Sequence, residues 1–186
     1  GLIPIRSGEI EVCGELVTPK TLSSVRRSAG FLFSVVDDQI LFPKVFDDVL
    51  FGLRASSRDV AESKAREMME RLGIVELADE SPHRLSLGQR KRVALAGTLV
   101  TEPKLLLLDE PSGGLDPRGR CELARLLSDV DASMLVATHD LRFATEFCDR
   151  ALVLDGGRKV EEVPLGSASS SVEESHLLEA MYGRSG

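Results

Sequence analysis

The run "KLLLLDEP", Lys104 to Pro111, limits the fold of this chain more than any other stretch. Four consecutive leucines show neither the spacing of one helix face nor the alternation of a half-buried strand. A short continuous apolar run of this kind predicts a strand buried on both faces, as in a parallel sheet. The run stops at Asp109 and Glu110, so two carboxylates emerge at the strand's carboxyl end.

The flanking sequence continues the pattern. "LSLGQRKRVALAGTLV" reads as a glycine-containing turn entering a helix that Pro103 brings to an end. Pro117 starts a helix with Leu123, Leu126, Leu127 and Val130 on one face, and "SMLVATHD" is a further buried strand ending in polar residues. Alternating strands and helices predict parallel strands joined by crossover helices, with ligands beyond the strands' carboxyl ends. Asp109, Glu110 and His139 all fall at such ends.

Upstream, "GEIEVCGELV" (8–17) has the period of a short antiparallel pair, and "SAGFLFSVV" (28–36) reads as a strand buried on both faces. From Ser57 to Leu72, Ala61, Ala65, Met68, Met69 and Leu72 recur at helical spacing, with Ser57 as N-cap and Gly73 just past the end. "ALVLDGGRKVEE" predicts a hairpin around Asp155-Gly156-Gly157. Beyond it come a Ser-rich linker and a terminal helix, "HLLEAMYG", within 166–186.

A chain of 186 residues fits one domain, able to bury roughly 70% of its unfolded surface. With 42% apolar and 28% charged residues it belongs among globular proteins. A net charge of -7 repels a phosphate backbone, so nucleic acid is not an expected partner. The basic "RKR", Arg90 to Arg92, opens a helical pattern and reads as a solvated face. Cys13, Cys121 and Cys148 lack metal-ligand spacing and fit reduced thiols of a cytosolic protein. No apolar run reaches the ~20 residues of a membrane helix.

At the end of its strand Asp109 can hold a magnesium ion against nucleotide phosphates, usually through water, and Glu110 can orient and deprotonate an attacking water. The bare run is as readily a core strand meeting a solvated turn. About twenty residues upstream, "LSLGQ" puts Ser86 and Gly88 just before a helix, where a hydroxyl and unpaired N–H groups can face an anion. That stretch, taken alone, is equally an ordinary capped helix start.

In combination these segments resemble the ATP-binding-cassette (ABC) transporter ATPases. "LSLGQ" is similar to their signature motif, "LLLLDEP" to Walker B with the catalytic glutamate, "SGGLD" to the D-loop and "ATHD" to the switch-histidine motif, in the family's order. "DDQILFPKVFDDVLFGL" is most similar to ATPases of cobalt, nickel and vitamin uptake systems of the energy-coupling-factor type.

The resemblance implies a P-loop NTPase-like α/β fold with a mostly parallel sheet, a helical signature subdomain at about 45–100, and a partial cassette domain over 1–165. It implies ATP and Mg2+ as ligands, with Asp109 in the metal shell, Glu110 polarising water and His139 on the terminal phosphate. Ser86, Gly88, Gln89 and Asp116 are implied to face the ATP of a second cassette subunit. Ser34 falls where the Q-loop glutamine is expected, although its short hydroxyl cannot reach a metal as an amide can. A second ATPase subunit, a transmembrane permease and a place on the cytoplasmic face of the membrane are implied as well.

No segment of the sequence satisfies the phosphate-loop pattern G-x-x-x-x-G-K-S/T. "GELVTPKT", Gly14 to Thr21, comes nearest, but Pro19 stands where glycine is required and offers neither an N–H nor a free φ. "GLIPIRSGEIEVCG" instead resembles the segment beyond the family's phosphate-loop helix, which implies that the N-terminal part is missing. The chain alone is therefore expected to hydrolyse ATP negligibly. Without a neighbouring strand, Leu105 to Leu108 are expected to lack a packing partner and the isolated chain to be marginal.

Two other readings remain. In one, the chain is a nonenzymatic half-site lending "LSLGQ" and "SGGLD" to a partner with an intact phosphate loop. A soluble cassette protein of DNA repair or translation is disfavoured by the lack of zinc cysteines, long heptads or a basic face. His83 and His176 read as surface residues.

Overall fold

The computed structural model describes residues 3–54, 56–166, 173, 175, 177 and 178. The expected linker and terminal helix lie mostly outside the described residues, as does His176. The chain divides into two compact units: residues up to Gly114 together with Val130–Ala137, and Leu115–Asp129 together with the residues from Thr138 onward.

In the first unit, β1 (Glu11–Val12) and β2 (Glu15–Leu16) pair antiparallel. Cys13 and Gly14 turn between them at φ 52° and 80°, the left-handed pair that a two-residue hairpin needs. The helix α1 (Leu22–Ser28) then leads directly into β3 (Ala29–Leu32). Three parallel strands follow the order β3, β4 (Leu105–Asp109), β5 (Ser133–Ala137).

The leucine run is thus the middle strand, hydrogen-bonded on both sides. Leu106 and Leu108 are buried with Leu32 beside them, each side chain contributing about 1.5–3 kcal/mol by leaving water. The expectation that β4 would lose its neighbours is corrected: both its backbone edges are paired.

The expectation of strands buried on both faces is corrected as well. β3 is only four residues long and alternates, with Gly30 and Leu32 inward and Phe31 43% exposed. β5 alternates likewise, and Leu135 is 59% exposed. Phe31, Leu107 and Leu135 form one cross-strand row, on the face opposite the one where Gly30 meets Thr98 of α4 (Leu87–Leu99). α4 packs on the Gly30 side of this sheet, while Leu107 in the opposite row is half-buried.

Three helices pack on one another in this unit: α2 (Val45–Leu50), α3 (Arg58–Arg71) and α4. Ala61, Ala65, Met69 and Leu72 are buried as their spacing predicts, and Gly73 closes α3 at φ 64°. Gln39, from the loop after β3, ties β3 to α4. Its amide Nε2 donates to the carbonyls of Phe31 (3.1 Å) and Ala94 (3.2 Å) and to Thr98 Oγ1 (2.9 Å), while Oε1 accepts from Phe33 N–H (3.0 Å).

The second unit holds α5 (Pro117–Ser128), α6 (Leu141–Phe147) and the hairpin of β6 (Arg150–Asp155) and β7 (Arg158–Pro164). Gly156 and Gly157 make the turn at φ 51° and 75°, as the Asp-Gly-Gly sequence predicts. Val153, Val163, Leu165 and Leu177 form its buried cluster. Among the described residues no helix is long and apolar enough to cross a membrane.

Candidate functional site

The start of α4 carries three of the sequence-predicted residues. Ser86 is its N-cap: the side-chain oxygen accepts from Gln89 N–H (3.3 Å), and Gln89 Oε1 accepts from Ser86 N–H (2.9 Å). This reciprocal pair is a capping box, which leaves the adjoining N–H groups of the first turn pointing out of the helix. Ser86 is exposed, and Gly88 and Gln89 are half-buried. The Ser-x-x-Gln spacing encodes the cap, the reading of this stretch as a capped helix start.

Asp109 closes β4, half-buried, with Ala137 of β5 as its register partner. The ladder runs one residue further: Glu110 N–H donates to the Ala137 carbonyl at 2.9 Å. Glu110 then turns sharply at φ 45°, a left-handed backbone that costs a non-glycine residue about 1–3 kcal/mol. Its carbonyl accepts from Gly113 N–H (3.0 Å), which closes the turn around Pro111 and Ser112.

Lys91 reaches this turn from α4. Lys91 is 3% exposed, and its ammonium donates to the carbonyls of Pro111 (2.7 Å) and Glu110 (3.0 Å). Burial pulls its pKa below the ordinary lysine value, and the negative charge of Glu110 works in the opposite direction. The reading of "RKR" as a solvated face is therefore corrected: Lys91 is buried and Arg90 and Arg92 are half-buried. The sequence signal for its burial is helical spacing: Lys91 stands three, four and seven residues before the buried Ala94, Leu95 and Thr98.

Leu87 and Gly114 bring the "LSLGQ" and "SGGLD" segments together. Gly114 has φ 72°, and a Cβ built there would stand 2.7 Å from Leu87 Cδ2. Ser112, in the same turn, is buried. Ser34 is exposed two residues past β3, in the loop that Gln39 pins.

In the second unit Asp116 caps α5, its Oδ1 accepting from Gly119 N–H at 2.7 Å. His139 is exposed in the turn between β5 and α6. Beside it in sequence, Asp140 caps α6 by accepting from Phe143 N–H (3.0 Å) and receives Arg120 Nη1 at 3.2 Å. Arg120 and Lys91 are the residues sequence reasoning missed, because each acts through a tertiary contact. His83 is exposed, as read from the sequence.

A single carboxylate ending a parallel strand fits Mg2+, which is held by one or two carboxylates with waters and substrate phosphates. Among the described residues there is no cluster of three or more acidic, His or Cys side chains able to cage a metal without those phosphates.

A parallel three-stranded sheet flanked by helices defines an α/β protein, and folds of this class place their ligands beyond the strands' carboxyl ends. The chain belongs to the ABC transporter family: that family's pattern matches residues 1–113. A putative ABC transporter ATP-binding protein of Streptomyces coelicolor, SCO3161, is 39% identical over 98% of this chain and 72% of its own length. The energy-coupling factor transporter ATP-binding protein EcfA of Carboxydothermus hydrogenoformans is 36% identical over 87% of this chain and 62% of its own length. Among solved structures, cbiO1 from Clostridium perfringens, part of the ABC transporter complex cbiONQ, superposes with a TM-score of 0.83 at 32% identity. That match covers 99% of this chain and 76% of cbiO1, and the fold is that of an ABC ATPase.

Proposed function

We propose that the chain serves as an ATP-binding subunit that couples ATP hydrolysis to uptake of a small solute of the cobalt, nickel or vitamin type through a membrane permease. The relationship to EcfA and cbiO1 supports the uptake class. The observation that carries the reading is the placement of Asp109 and Glu110 at the carboxyl end of the middle parallel strand. Asp109 would hold Mg2+ through water, and Glu110 would accept the proton of the attacking water. His139 would contact the terminal phosphate. Ser86, Gly88 and Gln89, with Asp116 and Ser34, would face nucleotide, the first three and Asp116 across an interface with a second cassette subunit at the cytoplasmic face of the membrane.

A general base contributes about 10²- to 10⁴-fold only when substrate is held in line beside it. The 186 residues contain no phosphate-loop pattern, so by themselves they would bind ATP weakly and turn it over negligibly. In a second reading this chain completes the site of a partner that has such a loop, with the start of α4 turned toward that partner's nucleotide. Equilibrium ATP binding to the chain, alone and mixed with an intact cassette subunit, tests both. Weak binding alone with strengthened binding on mixing is expected. Magnesium-dependent hydrolysis by the 186 residues alone would overturn the first statement, and no effect of mixing would overturn the second.

A further inference from the structure

A buried lysine needs a reason. Ordering its side chain costs rotamer freedom, and removing the ammonium from water costs more unless the lost hydrogen bonds are replaced. Lys91 replaces them with two backbone carbonyls of one turn, those of Glu110 and Pro111, and a Cβ on Gly113 would lie 3.9 Å from the same ammonium.

That turn is the one holding Glu110 at φ 45°. Pro111 has no N–H with which to steady it. Among the hydrogen bonds that hold the Glu110 peptide units are Glu110 N–H to the Ala137 carbonyl, Gly113 N–H to the Glu110 carbonyl, and the Lys91 ammonium to that same carbonyl. The first two come from the sheet and the turn itself, and the Lys91 bond comes from the helix headed by Ser86, Gly88 and Gln89.

We propose that Lys91 is a positioning residue for Glu110: its ammonium, carried on the helix that begins with "LSLGQ", clamps the Glu110-Pro111 carbonyls and so fixes where the Glu110 carboxylate is aimed. The inference rests on Glu110 being the group that polarises water. Its consequence is a direct mechanical link, within one subunit, from the nucleotide-facing start of α4 to the hydrolytic carboxylate. A neutral side chain of similar length leaves both carbonyls without a charged donor, and the strained turn loses its helix-side support.

The test uses the protein as its gene encodes it, assembled with its partner subunits. Lys91→Met is expected to lower kcat for ATP about 10- to 100-fold while KM stays within about twofold, because misplacement by about 1 Å suffices for a loss of that size. Lys91→Arg, which keeps a charged donor, recovers most of kcat. In a Glu110→Gln background Lys91→Met adds little further loss, since the lysine acts through that carboxylate. Equal fold losses in both backgrounds, or an unchanged kcat in Lys91→Met, would overturn the proposal.

Crystal structures of the wild type and Lys91→Met supply a readout independent of turnover: Glu110 is expected to leave the left-handed region in the variant. Retention of φ near its wild-type value would overturn the clamp. If the wild type does not hydrolyse ATP, the reading of Glu110 fails, and the crystallographic comparison still decides whether Lys91 holds the turn. Should Lys91→Met not fold, Lys91→Gln and Lys91→Arg carry the same comparisons.

Discussion

Arg120 and Asp140 lock two helix starts together: the guanidinium of Arg120, in the first turns of α5, lies 3.2 Å from the Asp140 carboxylate that caps α6. Both side chains are 22% exposed, so the pair is screened less than a surface bridge. Asp140 directly follows His139 in the chain. Arg120→Met should cost about 1 kcal/mol, and Asp140→Ala about twice that because the cap is lost as well. Urea midpoints of the two variants check the order; equal losses would mean that the cap contributes nothing.

The capping box at Ser86 and Gln89 serves stability and ligand geometry at once. Ser86→Ala should lower stability by about 1 kcal/mol. It should also weaken the strengthening of ATP binding seen on mixing with an intact cassette subunit, whereas Ser86→Asp, which caps as well but adds negative charge, should restore stability and not binding. Thermal melts and binding isotherms on the same samples separate the two effects.

Gly114 combines a left-handed backbone with a crowded neighbour, and the backbone is the larger cost. The built Cβ meets only the tip of Leu87, a side-chain end that can swing away, whereas φ 72° holds a non-glycine residue in the left-handed region at roughly 1–2 kcal/mol. Gly114→Ala should therefore destabilise by about that amount, and adding Leu87→Ala should recover little. Full recovery in the double variant would show that the clash dominates.

Asp48 predicts a pH dependence. Burial raises its pKa above the ordinary 3.8, against the lowering effect of the Leu41 and Phe42 N–H groups that bond its Oδ1 at 2.8 and 3.2 Å. The folded chain holds this proton more tightly than the unfolded chain does. The contribution is stabilising below the unfolded-state value and is lost as pH rises through the folded-state value. Asp48→Asn keeps an acceptor without the buried charge, so as pH rises above the unfolded-state value its stability should fall less than that of the wild type. Parallel profiles from chemical denaturation would refute this.

Lys20 looks like a phosphate-loop lysine but sits in a different kind of turn. Thr18 and Thr21 bond each other's backbone N–H groups at 3.3 and 2.9 Å around Pro19 and Lys20, and Lys20 is exposed just before α1. Lys20→Ala should leave ATP affinity unchanged in a titration with a fluorescent nucleotide analogue. A large loss would restore the segment as a phosphate cradle.

Much of this architecture was legible from residue order. The hairpin turn at 156–157 follows from its two glycines, α3 follows from its apolar spacing, and α4 from its N-cap Ser86; Ser57 stands at the N-cap position of α3 without a side-chain capping bond. The acidic pair at the end of β4 needed only the leucine run and its abrupt end. The burial of β3 and β5 was not legible, because an apolar residue records what a face could cover, not what covers it. Phe31 and Leu135 are as apolar as Leu32 and Leu106, yet only the latter two have α4's side of the sheet.

The linear chain by itself determined which residue types stand at the strand's end, where each helix starts, and that no phosphate-loop pattern occurs among the 186 residues. These are local properties, fixed by side-chain chemistry and by backbone preferences a few residues long. Tertiary structure alone decided that Lys91 is buried against the Glu110-Pro111 carbonyls, that Gln39 pins β3 to α4, and that Arg120 reaches Asp140. Each joins groups nineteen or more residues apart, and such a partner is chosen by packing geometry and the demand to satisfy buried polar groups, which no short window of sequence contains.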